Sequence, residues 1–403
     1  MKTELLAPAG DLEKLKIAVL YGADAVYLGG RHFGLRAGAG NFDESDLAEG
    51  VRFAHGHGVR VYVTVNIFAH NRDLEGLPAY LDMVCKAGAD AVIVSDPGVV
   101  DLVRRLYPAL PVHLSTQANT TNWAAARFWE EFGVRRIVLA RELSLAEIRE
   151  IREQVALELE MFIHGAMCIS YSGRCLLSNY LTGRDANRGD CAQSCRWKYA
   201  LVEEKRPGEY FAIEEDGRGS YIIGSRDLCL IEHIPELVSA GITSFKIEGR
   251  MKSVNYVAGV VKAYREAIDA YASDPENYRF NPAWLEEIEK VSHRDYTTGF
   301  LFGSPGPSGQ HYEGEIYRRS HVFAGLVRGY DADAGMAVVE QRNRFAVGDD
   351  VEIMIPRGET LRQKITRIID EEGNSVEAAP HPQQVVLVPI DRPVPDYAIL
   401  RII

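Results

Sequence analysis

The sequence predicts an α/β protein. It reads as a (β/α)8 TIM-like barrel with a cysteine-rich insertion between strands seven and eight, followed by a small C-terminal antiparallel β-barrel. Three observations predict it. Eight short, β-branched runs recur, separated by stretches with helical spacing, the pattern of parallel strands buried on both faces. The junctions GADAVYLGG and AGADAVIVSD are near-repeats of one helix-end, strand-start unit, as a barrel of repeated β/α units requires. No G-x-G-x-x-G follows the first run and no P-loop occurs, so the doubly wound alternative lacks its phosphate-binding turn.

The eight runs are Glu4–Gly10, Ala25–Gly30, Arg60–Asn66, Ala91–Asp96, Val112–Gln117, Arg136–Arg141, Leu159–Gly165 and Ser244–Arg250. The first linker illustrates the helices: Leu12, Leu15 and Val19 share a face, Asp11 is placed to cap the N-terminus and Gly22 to close the C-terminus. A barrel puts its chemistry at the C-terminal ends of the strands. Polar residues gather there: Asn66, Ser95, Asp96, Ser115, Gln117, Arg141, Glu142, His164, Lys246, Glu248 and Arg250. Strand alternation places Lys246, Glu248 and Arg250 on one face. Charges inside a barrel are costly unless paired or bound to ligand, so Lys246 with Glu248 is either a structural pair or part of a site. The planar fork of Arg250 suits a carboxylate or phosphate.

About eighty residues separate runs seven and eight, far more than a loop and a helix need. They hold Cys168, Cys175, Cys191 and Cys195, then a hairpin pattern over Tyr199–Ile223, then Cys229 at the start of an expected helix leading to strand eight. Cys85, the sixth cysteine, lies alone on an apolar helical stretch and reads as core. Crowded thiols in Gly/Asn/Asp/Arg-rich sequence without a secretory signal point to metal or redox chemistry rather than disulfides. Only Cys191-x3-Cys195 approaches a zinc knuckle. Long, unequal spacings suit a multi-iron cluster held by thiolates, with zinc as the alternative.

After Arg250, Ser253–Ala272 is amphipathic and Asn281–Lys290 is a further helix. SPGPSGQ reads as a linker, and from Tyr312 short strands with turn signals describe the C-terminal barrel. The expected domains are 1–305, including the insertion at 166–230, and 312–403.

With 46% apolar and 25% charged residues, the 403-residue chain is an ordinary globular protein. No run reaches membrane-spanning length and MKTELLAPAGD has no signal-peptide core, so a cytoplasmic protein without a membrane partner is expected. A net charge of −12 argues against general nucleic-acid wrapping. Between Met161 and Ala200, however, five basic residues (Arg174, Arg184, Arg188, Arg196, Lys198) face two acidic ones (Asp185, Asp190), a local patch for an anionic ligand.

The pattern Glu160-x-Phe162-x2-Gly165-Ala166-Met167-Cys168-x4-Gly173-x-Cys175-x-Leu177-Ser178 resembles the signature of the collagenase-like peptidase family U-32. The likeness continues through RDANRGDCAQSCRWKY, SRDLCLIEHIPELVSAGITSFKIEGRMKS and HRDYTTGFLFG. The resemblance implies a tRNA-modifying enzyme, since members of this length with a C-terminal β domain serve prephenate-dependent hydroxylation of the wobble uridine to 5-hydroxyuridine. It also implies a 4Fe–4S cluster, with Cys168, Cys175, Cys191 and Cys229 as its ligands and Cys195 as the alternative. Arg250, Glu248 and His164 are then the catalytic candidates. Arg174, Arg184, Arg188, Arg196 and Lys246 are the candidates for binding RNA or a small anionic co-substrate, prephenate among them. A partner protein of the same family is a further expectation. Two other readings compete. One is a peptidase using His164 with a nearby thiol, although H-E-x-x-H and G-x-S-x-G are absent. The other is a cluster-bearing protein that binds RNA or a partner without catalysis.

Overall fold

The computed structural model describes residues 3–34, 40–168, 170–171, 174–197, 200–202, 210–212, 225–305, 309 and 318–403. The first half alternates strand and helix: β1 (Glu4–Pro8), α1 (Leu12–Tyr21), β2 (Ala25–Gly29), α2 (Glu44–Gly56), β3 (Arg60–Val65), α3 (Asn71–Leu74), α4 (Leu77–Ala87), β4 (Ala91–Val94), α5 (Pro97–Leu106). It continues with β5 (Val112–Leu114), α6 (Trp123–Glu131), β6 (Arg136–Val138), α7 (Leu145–Gln154) and β7 (Glu158–Ala166). The insertion contributes α8 (Leu177–Thr182), β8 (Ala200–Val202), β9 (Tyr210–Ala212) and β10 (Asp227–Cys229). Then come α9 (Ile234–Ser239), β11 (Ser244–Ile247), α10 (Val254–Ser273), α11 (Pro282–Glu289) and β12 (Tyr296–Thr297).

Strands β1 to β7 pair in chain order, and β11 closes the ring by pairing parallel with both β7 and β1. All eight predicted strands therefore form the barrel. The caps read from the sequence are in place: Asp11 accepts from the Lys14 N–H at 2.9 Å, and Gly22, at φ 117°, returns its N–H to the end of α1. In the insertion, β8 and β9 pair antiparallel, as the hairpin pattern predicts; the rest of that pattern, and the expected linker boundary at Tyr312, fall outside the described residues. The expected helix at Arg226–Cys229 is instead β10, antiparallel to β7 and parallel to β12. The buried Asp227 carboxylate, gripped by Arg294 at 2.6 and 2.9 Å, draws the two segments together.

The barrel floor is ionic. Arg136 Nη1 donates to Glu4 at 2.6 Å and Glu160 at 3.0 Å, and Lys246 Nζ donates to the other Glu160 oxygen at 2.7 Å. Two carboxylates and two cations, all buried, balance in charge, and Tyr62 and Ser244 add hydrogen bonds to Glu4 at 2.7 and 2.8 Å. Such a cluster is tolerated because every member is paired. Burial raises the Glu160 carboxyl, but Lys246 and Arg136 outweigh it and hold the group below its ordinary value.

The register between β7 and β11 slips by one residue after Lys246: Lys246 faces Phe162, whereas Ile247 faces His164. This β-bulge inserts Ile163 and reverses the side-chain alternation beyond it. Glu160 and Phe162 point into the barrel; His164 points out.

In the C-terminal region eight antiparallel strands lie in the order Leu361–Lys364, Asp350–Met354, Ile399–Ile402, Val322–Asp331, Met336–Gln341, Val385–Pro389, Ile368–Ile369 and Ser375–Val376, with a separate two-stranded pair. Among the described residues the outer strands do not pair with each other, so the expected small barrel is a half-barrel sheet. It is bonded closely to the (β/α)8 barrel. Tyr21 donates to the Met354 and Tyr397 carbonyls, at 2.9 and 3.0 Å. Arg401, fully buried, pairs with Glu287 at 2.7 Å and with Glu352 at 2.8 Å. Leu326, Met354 and Ile399 belong to the same apolar core as α1 and α10. Removing residues 319–403 should therefore expose an apolar face of the barrel and produce a chain that aggregates or melts at a lower temperature than the full protein. Size-exclusion and thermal-melting comparison checks this, and an equally stable monomeric barrel contradicts it.

Candidate functional site

A cavity of 410 Å³ opens at the C-terminal ends of the strands, where the fold concentrates ligand chemistry. Its inner wall includes Tyr27, Thr64, Ser115, Arg141, Phe162, Lys246 and Arg250; its outer wall is the cysteine segment, with Cys168, Cys175, Cys191 and Cys195 all lining it. The segment is strapped over the barrel by Arg188. Its guanidinium grips Asp73 through two bonds of 2.9 Å and the Phe68 carbonyl at 3.0 Å. That bidentate pair holds the Asp73 carboxyl down to about 2. Asn187 donates to the Cys175 carbonyl at 3.2 Å, and the Ser178 hydroxyl ties Arg184 to Ala192 through bonds of 2.8 and 2.9 Å. These contacts bring sequence-distant thiols to one wall.

Burial pushes the Cys168 thiol up, and the adjacent Cys175 and Cys191 thiols raise it further, which marks the three as electrostatic neighbours. A wall of clustered thiols suits a cationic metal, which favours their thiolate form. The donor set is therefore sulfur-rich and fits an iron–sulfur cluster. Among the described residues no three Cys, His, Asp or Glu side chains already stand at single-ion geometry.

Two of the candidates read from the sequence lie away from this wall. Cys229 lies in a different cavity, beside Glu232, Glu289 and Tyr296. On β10 it sits opposite His164 on the outside of the barrel, with its sulfur 3.8 Å from the Tyr264 hydroxyl and its thiol pushed up to about 11 by burial. His164 is likewise absent from the cavity. The bulge turns it outward among the rings of Tyr256, Tyr264 and Tyr296, at centroid distances of 5.4–5.9 Å. No histidine lines the thiol cavity among the described residues.

Burial depresses His164 to about 3. Its ordinary value is 6.5, so below that pH the unfolded chain takes up a proton that the folded site refuses. Stability should fall as pH drops from 6.5 toward 3, by about 2 kcal/mol at pH 5 from this group. His164→Phe should lose correspondingly less stability than wild type between pH 7 and 5 in urea titrations. Parallel losses would contradict it. His113, held neutral by burial and by Arg136 and Lys246, adds a slope of the same sign to both proteins.

The remaining candidates divide. Arg250 is buried, donates to Asn41 Oδ1 at 2.6 Å and Thr64 Oγ1 at 3.3 Å, and lines the cavity. Its reach depends on Gly29, where a Cβ would stand 2.3 Å from Nη2. Lys246 also lines the cavity, but its partner is Glu160 rather than the Glu248 that strand alternation suggested. Glu248 is half-buried on the cavity wall. Arg184 lines the cavity and is ion-paired with Asp190 at 2.8 Å. Arg174 is exposed outside the cavity, 5.8 Å from the Phe68 ring, and the Arg196 side chain is outside the described set. Arg188, as the strap to Asp73, is committed to structure rather than to an anion. Arg141, noted in the sequence only as a strand-end polar residue, belongs to the cavity. Its guanidinium lies 3.9 Å from the Phe162 ring centroid and donates to the Ala166 carbonyl at 3.2 Å.

Comparison with known proteins follows this division of the chain. Residues 10–311 match peptidase family U32 and residues 319–401 match the peptidase family U32 C-terminal domain. A tRNA hydroxylation protein P1 of Bacillus subtilis is 50% identical over 391 residues, spanning 97% of this chain and 92% of its own. A tRNA hydroxylation protein P of Escherichia coli is 39% identical, spanning 99% of this chain and 96% of its own. A collagenase of Porphyromonas gingivalis is 33% identical, spanning 95% and 93%.

Proposed function

The chain belongs to the U32 peptidase family, and from that membership and its thiol-lined cavity we propose that it is an RNA-modifying hydroxylase acting on tRNA. The finer reading is hydroxylation of the wobble uridine at carbon five, with a 4Fe–4S cluster and prephenate as co-substrate. The observation that carries it is the convergence of Cys168, Cys175, Cys191 and Cys195 with Arg141, Lys246 and Arg250 on one cavity. Replacing a pyrimidine C–H by C–OH is a two-electron oxidation that draws its oxygen atom and its terminal electron acceptor from outside the protein, and a cluster held here would pass the electrons one at a time, a capacity that ordinary side chains lack. The four cavity thiols would hold it. Arg141 and Arg250 offer guanidinium groups for the carboxylates of a dicarboxylate such as prephenate. Two relatives named for tRNA hydroxylation support the substrate class.

The relative named collagenase motivates a peptidase reading. A Cys–His peptidase needs a thiolate activated by an imidazole. His164 is remote from the cavity thiols, and Cys229, the thiol opposite it, is pushed up to about 11 by burial while burial holds His164 down to about 3, so that pair forms no thiolate–imidazolium couple. Hydroxylation is therefore the better-supported chemistry. In a strain deleted for this gene and any redundant paralogue, nucleoside mass spectrometry of total tRNA should show loss of 5-hydroxyuridine and its derivatives, restored by the wild-type gene. An unchanged nucleoside profile, with cleavage of denatured collagen by the purified chain, favours the peptidase reading.

A further inference from the structure

The cysteine segment that walls the cavity also carries exposed aromatic rings. Tyr171 is 54% exposed, Tyr180 86% and Trp197 48%. Their positions follow the cavity wall. Tyr171 lies between the wall residues Cys168 and Cys175, Tyr180 two residues beyond Ser178, and Trp197 two beyond Cys195. Tyr180 sits on α8, whose Ser178 hydroxyl is fixed to Arg184 and Ala192, so the ring is offered from an anchored element. The exposed Arg174 and Arg184 lie in the same segment, which carries five basic and two acidic residues in a chain of net charge −12.

Large aromatic side chains held in water beside a cavity are disfavoured unless a ligand covers them. The local positive charge favours a polyanion. Pyrimidine carbon five is out of reach inside an RNA duplex, whose deep, narrow major groove excludes side chains. A base that reacts in a cavity must leave its stack, and aromatic rings can replace part of the stacking lost. We propose that Tyr171, Tyr180 and Trp197 form a stacking rim that receives the unpaired bases of a single-stranded RNA loop and presents one base to the cavity. This rests on the RNA-modifying reading and adds the mode and residues of recognition.

The test is binding of a fluorescent anticodon stem-loop oligonucleotide to the full chain, with Tyr171→Ala, Tyr180→Ala and Trp197→Ala, and with Tyr180→Phe and Trp197→Phe as conservative partners. Each alanine variant should weaken binding about 5- to 100-fold, raise KM for tRNA more than it lowers kcat, and leave melting temperature and metal content unchanged. The phenylalanine variants should retain affinity, and a fully paired duplex should bind weakly to all. Alanine variants that bind the loop within about twofold of a binding wild type overturn the rim while leaving the hydroxylase reading standing. A wild type that neither binds the loop nor alters tRNA overturns both. Variants that bind RNA normally but lose self-association would assign the rings to a second copy of the chain, and also overturn the proposal.

Discussion

Serine at Cys168, Cys175 or Cys191 is expected to yield a protein stripped of iron and cells whose tRNA lacks 5-hydroxyuridine. The three thiols are electrostatic neighbours on one wall, and a serine hydroxyl does not ionise near neutral pH to replace a thiolate. Anaerobically prepared wild type should carry about four irons per chain. Because changes merely next to a metal ligand cost about 10- to 100-fold, loss of a ligand should remove activity altogether. The geometry further predicts that Cys195→Ser behaves like these three, whereas Cys229→Ser keeps its iron, since Cys229 shares its cavity with Glu232 and Glu289 rather than with the other thiols. Iron analysis of the five variants decides the matter. Iron lost with Cys229 but kept without Cys195 would contradict the assignment, and stoichiometric zinc in wild type would contradict the cluster.

Arg136→Met should be the most destabilising single change in the barrel floor. Arg136 is 2% exposed and holds Glu4 and Glu160 together; burial works against its charge, but the two carboxylates outweigh it and raise the group above its ordinary value. The variant leaves Glu160 with Lys246 and Glu4 with the half-exposed Arg60, Tyr62 and Ser244, and takes the guanidinium from Glu158 as well. Removing one partner of a buried ionic cluster costs about 3–5 kcal/mol. A urea midpoint shifted by less than about 1 kcal/mol equivalent would show that water or rearrangement compensates.

The barrel was legible because parallel strands buried on both faces leave near-continuous apolar runs, and Ala25–Gly29 and Ala91–Val94 show this plainly. The cavity's place followed from the fold, and the thiols from their crowding. What escaped depended on single-residue register and long-range pairing. The bulge at Ile163 leaves no compositional mark, yet it decides that His164 faces tyrosines rather than substrate. Cys229 was expected at the mouth because Asp227–Cys229 reads as a helix start; its pairing with β7 and the grip of Arg294 on Asp227 are contacts between segments far apart in sequence. Arg188 and Arg184 look alike as loop arginines, and only the folded chain shows the first committed to Asp73 and the second on the cavity wall. Strand alternation offered Glu248 as the partner of Lys246, whereas the partner is Glu160 on the neighbouring strand, a cross-strand pairing that the sequence does not show.

The most direct measurement is photocrosslinking of an anticodon stem-loop carrying 5-bromouridine at the wobble position, which places the reactive bond at the carbon expected to be hydroxylated. Peptide mapping should find the crosslink on cavity-lining residues of the cysteine segment or on the strand-end residues around Phe162 and Lys246. A crosslink confined to the C-terminal sheet or the outer helices, from a protein that still restores 5-hydroxyuridine in cells, would contradict the claim that this cavity is where the base reacts.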